Sequence, residues 1–226
     1  MKKIIAMLLV LAMLLSFAAC GNSGNTGNET NDNENNEAAP VTEPENGTED
    51  AAKKVLIVYF SPANSDTADA VSMATPKVGN ASSTEYIAKL IGEKVDADMA
   101  AIVPAEAYPL PYNDAADKAK KEQDNNERPT FTLDVNPEDY DVIIVGYPIW
   151  WYHLPMIIRN FFETYDFSGK TIIPYTMHAG SRDGGTWNEI KELEPEASVL
   201  DGLAISGERA SKAEKSVSDW LKDLGY

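Results

Sequence analysis

The stretch DVIIVGYPIWWYHLP, residues 141–155, decides how the rest of the chain is read. Its first half holds four β-branched residues in a row, Val142 to Val145. A continuous apolar run of this kind, rather than an alternating one, suits a strand buried on both faces. Its second half sets Trp150, Trp151 and Tyr152 between Pro148 and Pro155, where a connection ordinarily carries small polar residues. The strand predicts helices on both of its sides, and the aromatic loop at its carboxyl end predicts a surface for a flat ligand.

Working outward, the same type of run recurs in KKVLIVYF (residues 53–60) and KTIIPYT (170–176), with MAAIVP (99–104) and SVLDGLAI (198–205) as a fourth and fifth strand. Helical patterns separate them. SSTEYIAKLIGEKV (82–95) places Tyr86, Ile87, Leu90 and Ile91 on one stripe, and Ser82 with Glu85 fits a capping box. NDAADKAKKEQDNNE (113–127) is a polar, exposed helix, and PMIIRNFFETY (155–165) begins with Pro155 in a favourable first-turn position. TWNEIKEL (186–193) is a further short helix, and SKAEKSVSDWLKDL (211–224) closes the chain with Val217, Trp220, Leu221 and Leu224 facing inward. Strands alternating with helices imply a three-layer α/β/α domain around a doubly wound parallel sheet, spanning residues 53–226.

The first residues are not part of that domain. MKKIIAMLLVLAMLLSFAAC (1–20) has a basic start, an apolar stretch and small residues before Cys20, the layout of an export signal. Its end resembles a lipobox, which predicts a bacterial lipoprotein lipidated at Cys20, extracytoplasmic and held at the membrane. Residues 21–52 are rich in Asn, Gly, Glu and Thr, and they predict a flexible tether because they bury too little surface to offset their ordering entropy. Cys20 is the single cysteine, so neither disulfides nor thiolate metal sites are available to the domain. The formal net charge of −17 argues against a nucleic-acid partner, since an acidic surface cannot replace phosphate counterions.

In an open doubly wound sheet, ligands sit beyond the carboxyl ends of the strands. Three loops therefore matter. After the first strand come Ser61 and, following a long insertion, Gly79, Asn80, Ser82, Ser83 and Thr84 at a helix start. Hydroxyls and free N–H groups at a helix N-terminus suit a phosphate, although Ser82 could equally do no more than cap its helix. A compact loop over SPANSDT with Thr67 opening the helix is the other arrangement, disfavoured because Pro76 would end that helix early. After the third strand, Trp150, Trp151 and Tyr152 offer stacking surface to a planar heterocycle, against the alternative that one tryptophan belongs to the core. After the fourth strand, His178, Gly180 and Ser181 could meet the same ligand, while His153 reads as a loop or interface residue. With two histidines and no His-Glu-x-x-His spacing there is no metal motif, and neither a P-loop nor a Gly-x-Ser-x-Gly elbow is present.

Taken together, Tyr59-Phe60-Ser61, Pro148-Ile149-Trp150-Trp151, YDFSGKTI (165–172) and His178-Ala179-Gly180-Ser181 resemble the flavodoxin-like proteins over most of residues 54–224. The resemblance implies a five-stranded parallel sheet in the order 2-1-3-4-5 with noncovalent FMN at the switch point. Ser61 and Asn80, Ser82, Ser83 and Thr84 would hold its phosphate, Pro148, Ile149, Trp150, Trp151 and Tyr152 would line the ring, and His178, Gly180 and Ser181 would close the other side. It also implies a redox role, either electron transfer to a redox partner or NAD(P)H-dependent reduction of a quinone-like acceptor, the chemistry being carried by FMN. The competing expectation is a lipoprotein that has kept the fold, lost FMN and acts as a binding protein.

Overall fold

The computed structural model describes residues 53–62, 77–109 and 111–226. The signal segment with Cys20, the tether over 21–52 and insertion residues 63–76, Thr67 among them, lie outside the described residues.

In chain order the elements are β1 (Val55–Phe60), a small hairpin of β2 (Lys77–Val78) and β3 (Ala81–Ser82), α1 (Ser83–Gly92), β4 (Asp98–Pro104), α2 (Tyr112–Asp124), β5 (Phe131–Thr132) and β6 (Val142–Pro148). They continue with α3 (Met156–Thr164), β7 (Thr171–His178), α4 (Thr186–Leu193), β8 (Ser198–Val199), β9 (Leu203–Ser206) and α5 (Glu214–Asp223). The sheet runs β5-β4-β1-β6-β7, with β8 and β9 both on the far side of β7. From β4 to β8 and β9 all pairings are parallel. With β8 and β9 counted as one interrupted strand, this is the expected order 2-1-3-4-5 in a doubly wound α/β sheet.

Two features depart from the expected five strands. The fifth is broken where Pro174 of β7, which has no N–H to donate, falls between the stretch paired to β8 and the stretch paired to β9. Gly202 crosses that gap, and a Cβ there would lie 2.3 Å from the Pro174 carbonyl oxygen. A further strand, β5, adds antiparallel to the outer edge of β4 through Val103↔Thr132 and Pro104↔Phe131. Its signal lies in TFTLDVN (130–136), where Phe131, Leu133 and Val135 alternate with polar residues and pack against the core, a half-buried strand pattern outside the five expected strands.

Alternation along the strands sorts the core into two clusters. Leu56, Val58 and Phe60 of β1 join Ile143, Val145 and Tyr147 of β6 beneath α3 and α4, with Phe161, Phe162 and Phe167. Val55 and Ile57 join Ile144, Ile173 and Tyr175 beneath α1 and α5. The stripe on α1 is as expected for Ile87, Leu90 and Ile91, and Ser82 caps the helix by accepting the Glu85 N–H at 3.2 Å. Pro155 is the N-cap of α3, one place ahead of the expected first turn, with extended backbone at ψ 137. On α5, Val217 and Leu221 are buried, whereas Trp220 and Leu224 are only partly covered.

Candidate functional site

The row Tyr59↔Gly146↔Tyr175 crosses β1, β6 and β7 near their carboxyl ends and ties the surrounding loops together. Tyr175 lies across Gly146 so closely that a Cβ on the glycine would be 1.9 Å from the phenol ring. Its hydroxyl then donates to the Thr84 carbonyl at 3.0 Å. The first turn of α1 is thereby held level with this row, two residues short of Ser61.

That helix start is rich in hydroxyls and mostly closed to water. Ser82, Ser83 and Thr84 are buried, and the side-chain oxygens of Ser61 and Thr84 are buried with no hydrogen-bond partner among the described residues. The β2–β3 hairpin leads into it through a two-residue turn whose first member, Gly79, has φ 64, a conformation glycine adopts without strain. Asn80 sits at the exposed tip of this turn, apart from the three buried residues. Lys77 is the register partner of Ser82 and brings a cation to the same hairpin.

Beyond β6 the aromatic loop is a tight turn. His153 donates its N–H to the Trp150 carbonyl at 2.9 Å, and the two residues between them, Trp151 and Tyr152, have φ 50 and 64. Two consecutive aromatics in the left-handed region cost roughly 1–2 kcal/mol each, and the surrounding structure must hold them there. It does so from two sides: the Trp151 indole N–H donates to the Ala116 carbonyl of α2 at 3.0 Å, and His153 Nδ1 lies 3.1 Å from Glu189 Oε1 of α4.

The three aromatics part company. Trp150 packs edge-on against Phe60 and Tyr108, with ring centroids at 5.5 and 5.0 Å, and belongs to the fringe of the aromatic core. Trp151 and Tyr152 are 49% and 69% exposed. Pro148 and Ile149 are buried, and Ile149 donates its N–H to the Met177 carbonyl at 2.8 Å, which sets the loop after β6 beside the loop after β7. A Cβ on Gly184, φ 60, would come within 3.0 Å of Ile149 Cγ2, so the two loops are in contact.

At the end of β7, the buried His178 accepts the Gly180 N–H of the following loop on Nδ1 at 3.0 Å. That nitrogen is therefore unprotonated, and the neutral ring carries its proton on Nε2. Burial, then the charge of Arg182, lowers the imidazole pKa from 6.5, with Asp183 opposing. Gly180 is exposed and Ser181 half-buried, its carbonyl accepting from Gly184. Tyr147 and Thr186 share a buried hydrogen bond of 2.9 Å that anchors the start of α4 below this loop. Burial raises the Tyr147 pKa, so the phenol stays neutral.

The structure thus gathers Ser61, Ser82, Ser83, Thr84, Pro148 to Tyr152 and His178 to Ser181 along one edge of the sheet, with Asn80 at its margin. It adds Tyr108, absent from the sequence-based set. The signal was faint: one tyrosine in a proline-rich stretch, with Pro104, Pro109 and Pro111 around it. Among the described residues no group of three His, Cys, Asp or Glu is placed to hold a metal, and no helix is long and apolar enough to cross a membrane.

The sequence profile of the flavodoxins matches residues 54–224, the whole of this sheet and its helices. The chain belongs to the flavodoxin family. Solved structures agree with that assignment. This flavodoxin is 28% identical to a provisionally assigned flavoprotein from Bacteroides uniformis over 75% of this chain and 98% of that one, at a TM-score of 0.60. A similarly assigned flavoprotein from Bacteroides eggerthii is 27% identical, over 77% and 99%, at 0.58. The fold is also that of a Lactobacillus acidophilus flavoprotein solved in complex with FMN, 18% identical over 74% and 99% at a TM-score of 0.53. Among curated protein sequences none matches this flavodoxin.

Proposed function

We propose that this flavodoxin binds FMN along the carboxyl edge of β1, β6 and β7 and serves as a redox protein. The observation that carries the reading is the pair of buried hydroxyl oxygens on Ser61 and Thr84 that meet no partner among the described residues. Each group of this kind costs roughly 1–3 kcal/mol unless something supplies the missing bond. A phosphate monoester does so. Its oxygens accept from both hydroxyls, and it lies at a helix N-terminus whose unsatisfied N–H groups and dipole favour negative charge. The family and the FMN-bound L. acidophilus relative support the same cofactor.

The residues present fit the group, and each has its task. Ser61, Ser82, Ser83 and Thr84 hold the phosphate. Trp151 and Tyr152 present exposed aromatic faces to the ring, and their turn N–H groups, which make no backbone bond among the described residues, are available to its polar edge. Trp150 backs that surface from the core side. His178 fixes the loop through Gly180 and keeps an Nε2 proton to donate from the opposite wall. Bound there, FMN supplies one- and two-electron transfer; the protein contributes orientation, exclusion of water and the local field.

The finer role is either an electron carrier or an NAD(P)H-dependent reductase of a quinone-like acceptor. Export and anchoring through Cys20 would place it at the outer face of a bacterial membrane, and radiolabelled palmitate incorporated by wild type but not by Cys20→Ala tests that placement. For the cofactor, titration of purified protein with FMN and with riboflavin is decisive. FMN should bind at least about tenfold more tightly, because riboflavin has no charged group for the hydroxyl cluster. Equal affinity for the two would remove the phosphate site, and a colourless protein that refuses added FMN would favour the competing view of a fold retained as a binding protein.

A further inference from the structure

Behind Trp150 lies a buried polar pair that the redox reading does not use. The Tyr108 hydroxyl donates to Glu122 Oε2 of α2 at 2.9 Å, and both residues are 3% exposed. The phenol ring stands 5.0 Å from the Trp150 ring at 67° and 5.7 Å from Phe60. On its other side the Lys118 ammonium sits 5.0 Å from the ring centroid, itself held by Glu106 at 2.7 Å. A cavity of about 360 Å³, lined by Glu106, Lys118, Lys121, Glu122, Arg128 and Thr130, opens next to this carboxyl and gives water a route to it.

We infer that Tyr108 and Glu122 are positioning residues for the aromatic wall of the site: the α2 carboxylate holds the phenol, the phenol sets the tilt of Trp150, and proton uptake at α2 is thereby transmitted to the ring-binding surface. The inference rests on the proposed ligand site lying against the Trp150 turn. Its warrant is the contact chain itself, together with the second tie from α2 to the same turn through Trp151 and Ala116. A strained turn needs such supports, and α2 supplies two of them beside the His153–Glu189 tie to α4.

The chemistry gives the direction. An ionised Glu122 accepts the phenol proton in a charge-assisted bond; a protonated one offers only a neutral, weaker acceptor. Burial raises the Glu122 pKa from 4.5, the Tyr108 bond and Lys118 oppose it, and Glu127 and Glu106 add to the rise. Lys121 and Arg128 are the remaining charges lining the cavity. Burial and then Glu122 push the phenol pKa far up, so Tyr108 remains the donor throughout. The pair tightens as pH rises through the Glu122 transition and loosens below it.

The test reads Trp150 directly in the full chain without FMN, as the difference in tryptophan emission between wild type and Trp150→Phe across a pH series. Wild type should show an inflection above the ordinary carboxylate range that is missing from both Glu122→Gln and Tyr108→Phe. With FMN added, Tyr108→Phe should weaken binding about five- to tenfold, as expected for one lost hydrogen bond, while Glu122→Gln, which keeps an acceptor, should remove from the pH dependence of affinity the step that coincides with the emission inflection of the wild type. An inflection that persists in Tyr108→Phe, or FMN affinity unchanged in that variant, overturns the inference. If Glu122→Gln does not fold, Tyr108→Phe, which loses a single oxygen atom, decides alone. Wild type that refuses FMN sinks the proposed function instead, and the emission series still judges the positioning pair.

Discussion

Between the end of β1 and the first turn of α1 two hydroxyl oxygens, on Ser61 and Thr84, are buried without partners among the described residues, and the helix starts from an ordinary extended N-cap at Ser82. At the turn after β6 the polar side chains are bonded to α2 and α4, and it is the backbone that is unfavourable, with Trp151 and Tyr152 both left-handed. One end of the candidate site stores its cost as missing hydrogen bonds, the other as conformational strain. A ligand can repay the first by direct bonding. The second is repaid only if the side chains so displayed are used, because relaxing the turn would withdraw them. The two ends are mechanically joined through Gly146 and Tyr175, so they cannot drift apart independently.

The largest effect should come from breaking that joint. Gly146→Ala drives a methyl into the Tyr175 ring in a row of paired strands, and chemical denaturation should show a loss of about 3 kcal/mol or more. Next, Tyr152→Gly should stabilise the cofactor-free protein by roughly 1 kcal/mol, since its side chain is exposed and its φ suits glycine, while FMN binding falls by a similar amount. Stabilisation without any loss of FMN affinity would mean that Tyr152 is not part of the ring surface. Thr84→Val should likewise raise cofactor-free stability by around 1 kcal/mol, by removing an orphaned hydroxyl, and weaken FMN. A variant that lowers both would show that the oxygen has a structural partner.

The smallest effect concerns pH. His178 is held neutral in the folded protein, whereas the unfolded chain titrates near 6.5. Below that value the unfolded state binds more protons, so this residue's contribution is intact at higher pH and is lost as pH falls towards the depressed folded pKa. His178→Gln should flatten that part of the slope, seen as a smaller change in denaturation midpoint between about pH 7.5 and about pH 5.5. Glu194 has the opposite sign. Burial, then the charge of Asp166, raises its pKa to about 7, so its effect is to make stability decline as pH rises from 4.5 towards that value. Glu194→Gln should remove the decline and leave the His178 slope in place.

Much of the fold was legible along the chain. The runs at 53–60, 141–148 and 170–176 form strands, the Ser82–Glu85 cap forms, and the parallel pairing follows from alternation with helices, while the strand order came from the family resemblance. The site was legible as a set of loops but not as an arrangement. Asn80 and Thr84 are four residues apart in the sequence, yet one is at an exposed hairpin tip and the other buried under the sheet edge. Trp150 and Trp151 are neighbours, yet one joins the core and its successor faces solvent, because Trp151 is the first of two positive-φ residues that reverse the chain between Trp150 and His153.

What the sequence by itself determined is whatever depends on near neighbours: which segments are apolar on both faces, where helices begin, and that three loops with hydroxyl, aromatic and imidazole groups meet at one edge. Only the tertiary structure decided which of those groups are satisfied. Tyr175 reaches Thr84 across 91 residues, Tyr147 reaches Thr186 across 39, and Tyr108 finds Glu122 by packing between β4 and α2. Hydrogen-bond partnership over such separations is set by strand register and by the space left between layers, and neither quantity is written in any local window of residues.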